Sequence, residues 1–223
     1  MVKVSKKVRI GVLASGSGSN LQAIIDAVEA GKINAEIAVV LSDNKKAYAL
    51  ERASNHNIPA VFVEHKLKRR REDYDLAILG KLREHNVDLV LLAGYMKIVS
   101  AVLVEVFENR MINIHPALLP SFPGLHVQKK AIDYGARFSG CTVHFVDGGM
   151  DTGPIIIQAV VPVLPDDTED ALGARILKRE HQIYPEAVRL FCEGRLEVSG
   201  RKVTIQGYEG EPDNFMINPP IEK

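Results

Sequence analysis

Apolar positions along the chain follow two rhythms. Val8–Ala14, Ile37–Leu41, Ala60–Val63 and Asp88–Ala93 are short apolar runs without polar alternation, as expected of strands covered on both faces. Between them the spacing turns helical. Leu21, Ile24, Ile25 and Val28 fall at i, i+3, i+4 and i+7 with Gly31 as a stop, and Tyr74, Ile78 and Leu82 form one stripe within Arg71–His85. Lys46–His56 is helical in composition. The order β-α-β-α-β-α-β over the first 93 residues predicts a parallel sheet with right-handed crossovers and helices on both faces.

Met111–Ile114 then predicts a fifth strand followed by a proline-rich loop. Cys141–Val146 and Ile155–Val161 predict two more, joined by the glycine-rich Asp147–Gly153 in a way that suits an antiparallel pair. A long helix is expected over Thr168–Phe191, led by Asp166 and Asp167 and stopped near Gly194. Leu196–Val198 with Lys202–Ile205 reads as a small hairpin, and residues from Gly207 as a surface tail. The fold class is α/β: a Rossmann-like, doubly wound, mostly parallel sheet of about seven strands, in one domain.

Composition narrows the function classes. The 223 residues carry 28 Lys+Arg against 28 Asp+Glu, so no global field favours nucleic acid or an anionic membrane. A hydrophobic fraction of 46% with 25% charged suits a globule with a real core. Cys141 and Cys192 fit neither a zinc pattern nor a disulfide framework, and read as two buried thiols of a cytoplasmic protein. The N-terminus lacks the pattern of a signal peptide. Met111–Gln128 has no Asp, Glu, Lys or Arg, but Pro116, Pro120 and Pro123 exclude a membrane span.

Four places invite chemistry. Gly16-Ser17-Gly18-Ser19-Asn20 joins the first strand to the first helix, where unpaired N–H groups and the helix dipole attract an anion. Leu21 stands where a dinucleotide fingerprint wants Gly or Ala, and a P-loop lysine is missing, so a phosphate monoester fits better than NAD or ATP. A plain glycine turn is the competing reading. Asn113 and His115 lie two residues apart at a strand's carboxyl end, on one side, where an amide and an imidazole can polarise a carbonyl. Asp151 is suited to facing His115, with Asp147 as a rival and turn formation as the bland alternative. Glu180 sits on the apolar stripe of the last helix, where a carboxylate must be paired or face a ligand. The basic run Lys66–Arg71 reads as a solvated loop entering a helix. His56, His65, His85 and His126 show no metal spacing, and no metal is expected.

Six segments in order resemble the phosphoribosylglycinamide formyltransferases, folate-dependent transformylases of purine synthesis. They are Ala14–Ile24, Leu92–Ile98, Asn113–Pro120, Pro123–His126, Thr142–Val146 with Asp151–Ile156, and Glu180–Pro185. The resemblance spans about residues 8 to 208. It implies transfer of the formyl group of 10-formyltetrahydrofolate to glycinamide ribonucleotide, with Gly18, Ser19, Asn20 and Glu180 binding the ribonucleotide. It implies folate contacts from Arg71, Met96, Lys97, Ile98, Val99, Asn113, Asp147, Gly148, Gly149, Met150 and Asp151. Asn113, His115 and Asp151 would be catalytic, the first two at the oxyanion and the third in proton transfer. On this view 1–93 is a phosphate-binding half, 94–206 the folate and catalytic half, and the partners are small molecules only. The resemblance leaves the oligomeric state open. Lys97 stands where some relatives carry Arg, and Ala117 where Ser is frequent. A methionyl-tRNA formyltransferase would be expected to add a basic C-terminal domain, and a formyltetrahydrofolate hydrolase an N-terminal regulatory one. A nucleotide-binding module without chemistry would leave Asn113, His115, Asp151 and Glu180 unexplained as a set.

Overall fold

A computed structural model describes residues 6–65, 70–208 and 210. The basic run Lys66–Arg69 and nearly all of the tail after Tyr208 lie outside the described residues. Seven strands form one sheet in the order β3-β2-β1-β4-β5-β6-β7: β1 (Val8–Leu13), β2 (Ala35–Ser42), β3 (Ala60–Phe62), β4 (Leu89–Leu92), β5 (Met111–His115), β6 (Phe138–Phe145) and β7 (Ile155–Pro162). The first five run parallel, while β6 is antiparallel to both β5 and β7.

The period of two explains the layering. Ile10, Val12, Leu89, Leu91, Ile112 and Ile114 face a core shared with Leu21, Ile24 and Ile25 of α1 (Ser19–Glu29) and with Ile176, Tyr184 and Val188 of α6 (Glu169–Cys192). Leu13, Val39, Leu41, Val90, Leu92 and Met111 face the opposite core, closed by Tyr74, Ile78 and Leu82 of α3 (Arg71–Glu84) and Leu103 of α4 (Ala101–Val106). Both faces are dry, which is why these strands show no alternation. The remaining helices, α2 (Tyr48–Asn55) and α5 (Val127–Tyr134), flank the first face, and β8 (Leu196–Ser199) pairs with β9 (Lys202–Ile205) as a hairpin.

Two local features set up the site. The strand order turns outward on either side of β1 and β4, leaving a crevice beyond their carboxyl ends. Tyr184, fully buried, places its hydroxyl 3.1 Å from the carbonyls of Leu92 and Ile112, fastening α6 across β4 and β5. Cys141 is buried but Cys192 only half-buried, and burial pushes both thiols up to about 12.

Candidate active site

The glycine turn ends with Gly18 at φ 69°, a left-handed conformation at the N-cap of α1. A Cβ at Gly18 would also strike the Ala49 backbone, so geometry and packing both require glycine. The turn is tied to the one after β4: the Ser15 N–H donates to Gly94 O at 3.1 Å and the Met96 N–H to Ser15 Oγ at 2.9 Å. Asn20, one residue into α1, donates from Nδ2 to Glu180 Oε2 at 2.7 Å. Both side chains are buried, and burial raises the Glu180 carboxyl above its ordinary range, opposed by the Asn20 hydrogen bond. Asn20 Oδ1 is buried and accepts no hydrogen bond among the described residues. A carboxylate and a lone amide oxygen thus look into one corner, an acceptor pair waiting for donors.

Asn113 and His115 end β5 on one face, and the antiparallel register sets Asn113 opposite His144 on β6. Asn113 Nδ2 lies 3.1 Å from His144 Nε2, and His144 Nδ1 lies 2.8 Å from Phe145 O. A carbonyl only accepts, so His144 carries its proton on Nδ1 and presents a lone pair to the amide. Desolvation holds the His144 pKa below its ordinary value, which keeps this arrangement neutral. The amide nitrogen of Asn113 therefore faces His144, and its second N–H remains available.

His115 is buried, with Nε2 3.0 Å from Phe122 O, and a carbonyl only accepts, so Nε2 carries a proton. Nδ1 lies 3.5 Å from Asp151 Oδ2, and Asp151 Oδ1 lies 3.9 Å from His144 Nε2. Asp151 sits at φ 55° in the β6–β7 loop and accepts from the Gly124 N–H at 2.8 Å, joining that loop to the proline-rich one. Asp147 does the turn work instead: its Oδ1 accepts from the Gly149 N–H and Thr152 Oγ1. The two acids are thereby told apart. Behind β5, Thr142 Oγ1 donates to Ala117 O at 2.7 Å and takes the Leu119 N–H at 3.1 Å, holding the proline loop on β6.

These groups open into a cleft of about 870 Å³ that runs from Asn20 and Glu180 past Asn113, His115, His144 and Asp151. Met96, Ile98, Leu125 and Met150 form an apolar, exposed rim. Lys97 also lines it, 3.5 Å from Asp43 Oδ2. Of the expected folate residues, Met96, Lys97, Ile98, Asn113, Asp147, Gly149, Met150 and Asp151 line the cleft. Three do not: Arg71 is exposed at the start of α3, Val99 packs into the second core, and Gly148 stays off the wall. Gly18 closes the turn beside the cleft, while Ser19 borders a separate groove between α1 and α6. His144 is the residue that sequence reasoning left without a role, because its value comes from register with Asn113.

The family model described as formyl transferase matches residues 8–188. The chain belongs to the formyl transferase family. The chain spans 14% of the length of a trifunctional purine biosynthetic protein adenosine-3 of Drosophila melanogaster, with 47% identity over 196 residues. A phosphoribosylglycinamide formyltransferase of Escherichia coli (strain K12) is 40% identical over 206 residues, covering 92% of this chain and 97% of its own. Among solved structures, glycinamide ribonucleotide transformylase 1 from Symbiobacterium toebii superposes with a TM-score of 0.88 at 52% identity, over 89% of this chain and 94% of that one. A formyltetrahydrofolate deformylase from Pseudomonas syringae pv. tomato shares the fold at a TM-score of 0.85 but is 27% identical. Among the described residues no helix is long and apolar enough to cross a membrane, and no three His, Cys, Asp or Glu side chains cluster as a metal site.

Proposed function

We propose that this cleft transfers the formyl group of 10-formyltetrahydrofolate to the amine of glycinamide ribonucleotide. The observation that carries the reading is the convergence of Asn113, His115 and Asp151 on the cleft wall, with the buried Asn20–Glu180 pair at its inner end. Ribose hydroxyls and an amine are donors, which is what Asn20 Oδ1 lacks and what the carboxylate of Glu180, holding one donor from Asn20, has further lone pairs to accept. The ribonucleotide's phosphate goes to the glycine turn, and the flat, largely apolar folate to the Met96–Met150 rim.

The substrate amine attacks the formyl carbon and the carbonyl oxygen becomes an oxyanion. Asn113 offers its second Nδ2–H and the His115 imidazolium its Nδ1–H to that oxygen. Asp151, beside Nδ1, stabilises the imidazolium and passes the surplus amine proton, through water, toward N10 of the folate. The bond between the formyl carbon and N10 then breaks, leaving N-formylated ribonucleotide and tetrahydrofolate. No covalent enzyme intermediate is required.

Hydrolysis of the same folate is the second reading, favoured by the likeness to the deformylase. The Asn20–Glu180 corner argues against it, because a water nucleophile needs no second polar pocket. Mixing the protein with both substrates and following folate absorbance decides: formyl transfer that needs the ribonucleotide is expected, and tetrahydrofolate release without it would establish hydrolysis. His115→Ala should lower kcat at least a hundredfold in that assay, on the order of one lost oxyanion donor. Asp151→Asn should cripple turnover and shift the pH–rate profile; an unchanged profile would remove Asp151 from proton transfer.

A further inference from the structure

The scheme above uses the glycine turn but not what stands behind it. Three successive carbonyls of the turn face the β2–α2 segment. Asn44 Nδ2 donates to Ser15 O at 3.3 Å, the Ala49 N–H to Gly16 O at 3.1 Å, and Arg52 Nε to Ser17 O at 2.9 Å. A trans peptide holds its N–H opposite its C=O, and these peptides are trans. Fixing the carbonyls therefore aims the N–H groups of Gly16, Ser17 and Gly18 at the far side of the turn. None of the three makes a hydrogen bond among the described residues. With the open first turn of α1 they form a backbone nest of the kind that takes an anion.

Arg52 is the charged member of this clamp and is itself held fast. Its second nitrogen donates to Gln22 Oε1 at 3.1 Å, and its guanidinium lies 4.7 Å over the Tyr48 ring. Gln22 keeps its oxygen toward Arg52 because its Nε2 is engaged by Asp26 Oδ1 at 2.8 Å and lies 3.1 Å from His56 Nε2. His56 in turn sets Nδ1 2.7 Å from Glu29 Oε1.

We propose that Arg52 is a positioning residue for the phosphate of the ribonucleotide. It draws the Ser17 carbonyl away from the anion, so that the Gly18 N–H faces it, and places a fixed positive charge behind the turn. This rests on the reading that the turn takes that phosphate, and it adds the residue that makes the turn selective for a phosphorylated substrate.

The test is steady-state kinetics on the full chain with glycinamide ribonucleotide and with its dephosphorylated riboside. Wild type should prefer the phosphorylated substrate. Arg52→Ala should raise the KM for the ribonucleotide about tenfold, the scale of one charge-assisted hydrogen bond. It should leave kcat, the KM for 10-formyltetrahydrofolate and the riboside kinetics unchanged. Arg52→Lys keeps the charge but not the fork that spans Ser17 and Gln22, and should lose part of the preference. If Arg52→Ala does not fold, Arg52→Lys and Gln22→Met carry the test: a reduced preference supports the role and an undiminished one overturns it. An unchanged preference in folded Arg52→Ala overturns the role of Arg52 while the phosphate reading stands. A wild type indifferent to the phosphate overturns that reading and this inference together.

Discussion

At the scale of single residues, the cleft is organised by burial that decides protonation. His144 is neutral because the protein interior disfavours its charged form, and neutrality lets it accept from Asn113. Replacing it with Phe fills the space but removes the acceptor, so the amide is free to rotate. His144→Phe should lower kcat about tenfold or more with little change in either KM, as steady-state kinetics will check. Glu180 shows the opposite sign. Its native carboxyl binds a proton more tightly than the unfolded chain does, so stability falls as pH rises from the ordinary Glu range through the raised native value. Glu180→Gln keeps an acceptor for Asn20 and removes the buried charge. Its melting temperature should exceed that of wild type at about pH 8, the gap shrinking toward about pH 4.5, while its KM for the ribonucleotide rises.

At the scale of elements, β6 and its loops hold the site open. Thr142 Oγ1 serves Ala117 O, the Leu119 N–H and Gln158 Nε2 together, within a fully buried side chain. Thr142→Val strands those partners and should cost about 2–4 kcal/mol in urea unfolding. The elements differ in how plainly the sequence announces them. β1, β2, β4, α1, α3 and α6 were legible because long runs or stripes repeat at one period. α5 was not: it starts behind His126 at φ 56° in a proline-bearing stretch without a period, and Val127 and Ala131 become its buried face only against the rest of the fold. α4, at six residues, is too short to show a stripe. Asn113, His115 and Glu180 were legible because each is a polar residue at a strand end or on an apolar face. His144 was hidden because cross-strand register is not written locally, and the expected places of Arg71 and Val99 followed from resemblance rather than from any pattern around them.

At the scale of the whole molecule, one sheet with two dry faces presents every reactive group at one edge, beyond the carboxyl ends of β1, β4 and β5. A ligand that grips this edge grips elements from the whole length of the chain, so binding should stabilise the fold globally. The proposed ribonucleotide substrate, at a hundred times its Kd, would contribute about 2.7 kcal/mol. At roughly 2–4 °C per kcal/mol for a domain of this size, a melting temperature raised by about 5–10 °C is expected in scanning calorimetry.

The Asn20–Glu180 hydrogen bond spans 160 positions of sequence. Half of the pocket's inner corner is synthesised early and the other half late, and neither half is a receptor by itself. The corner therefore exists only where the last long helix packs against the first.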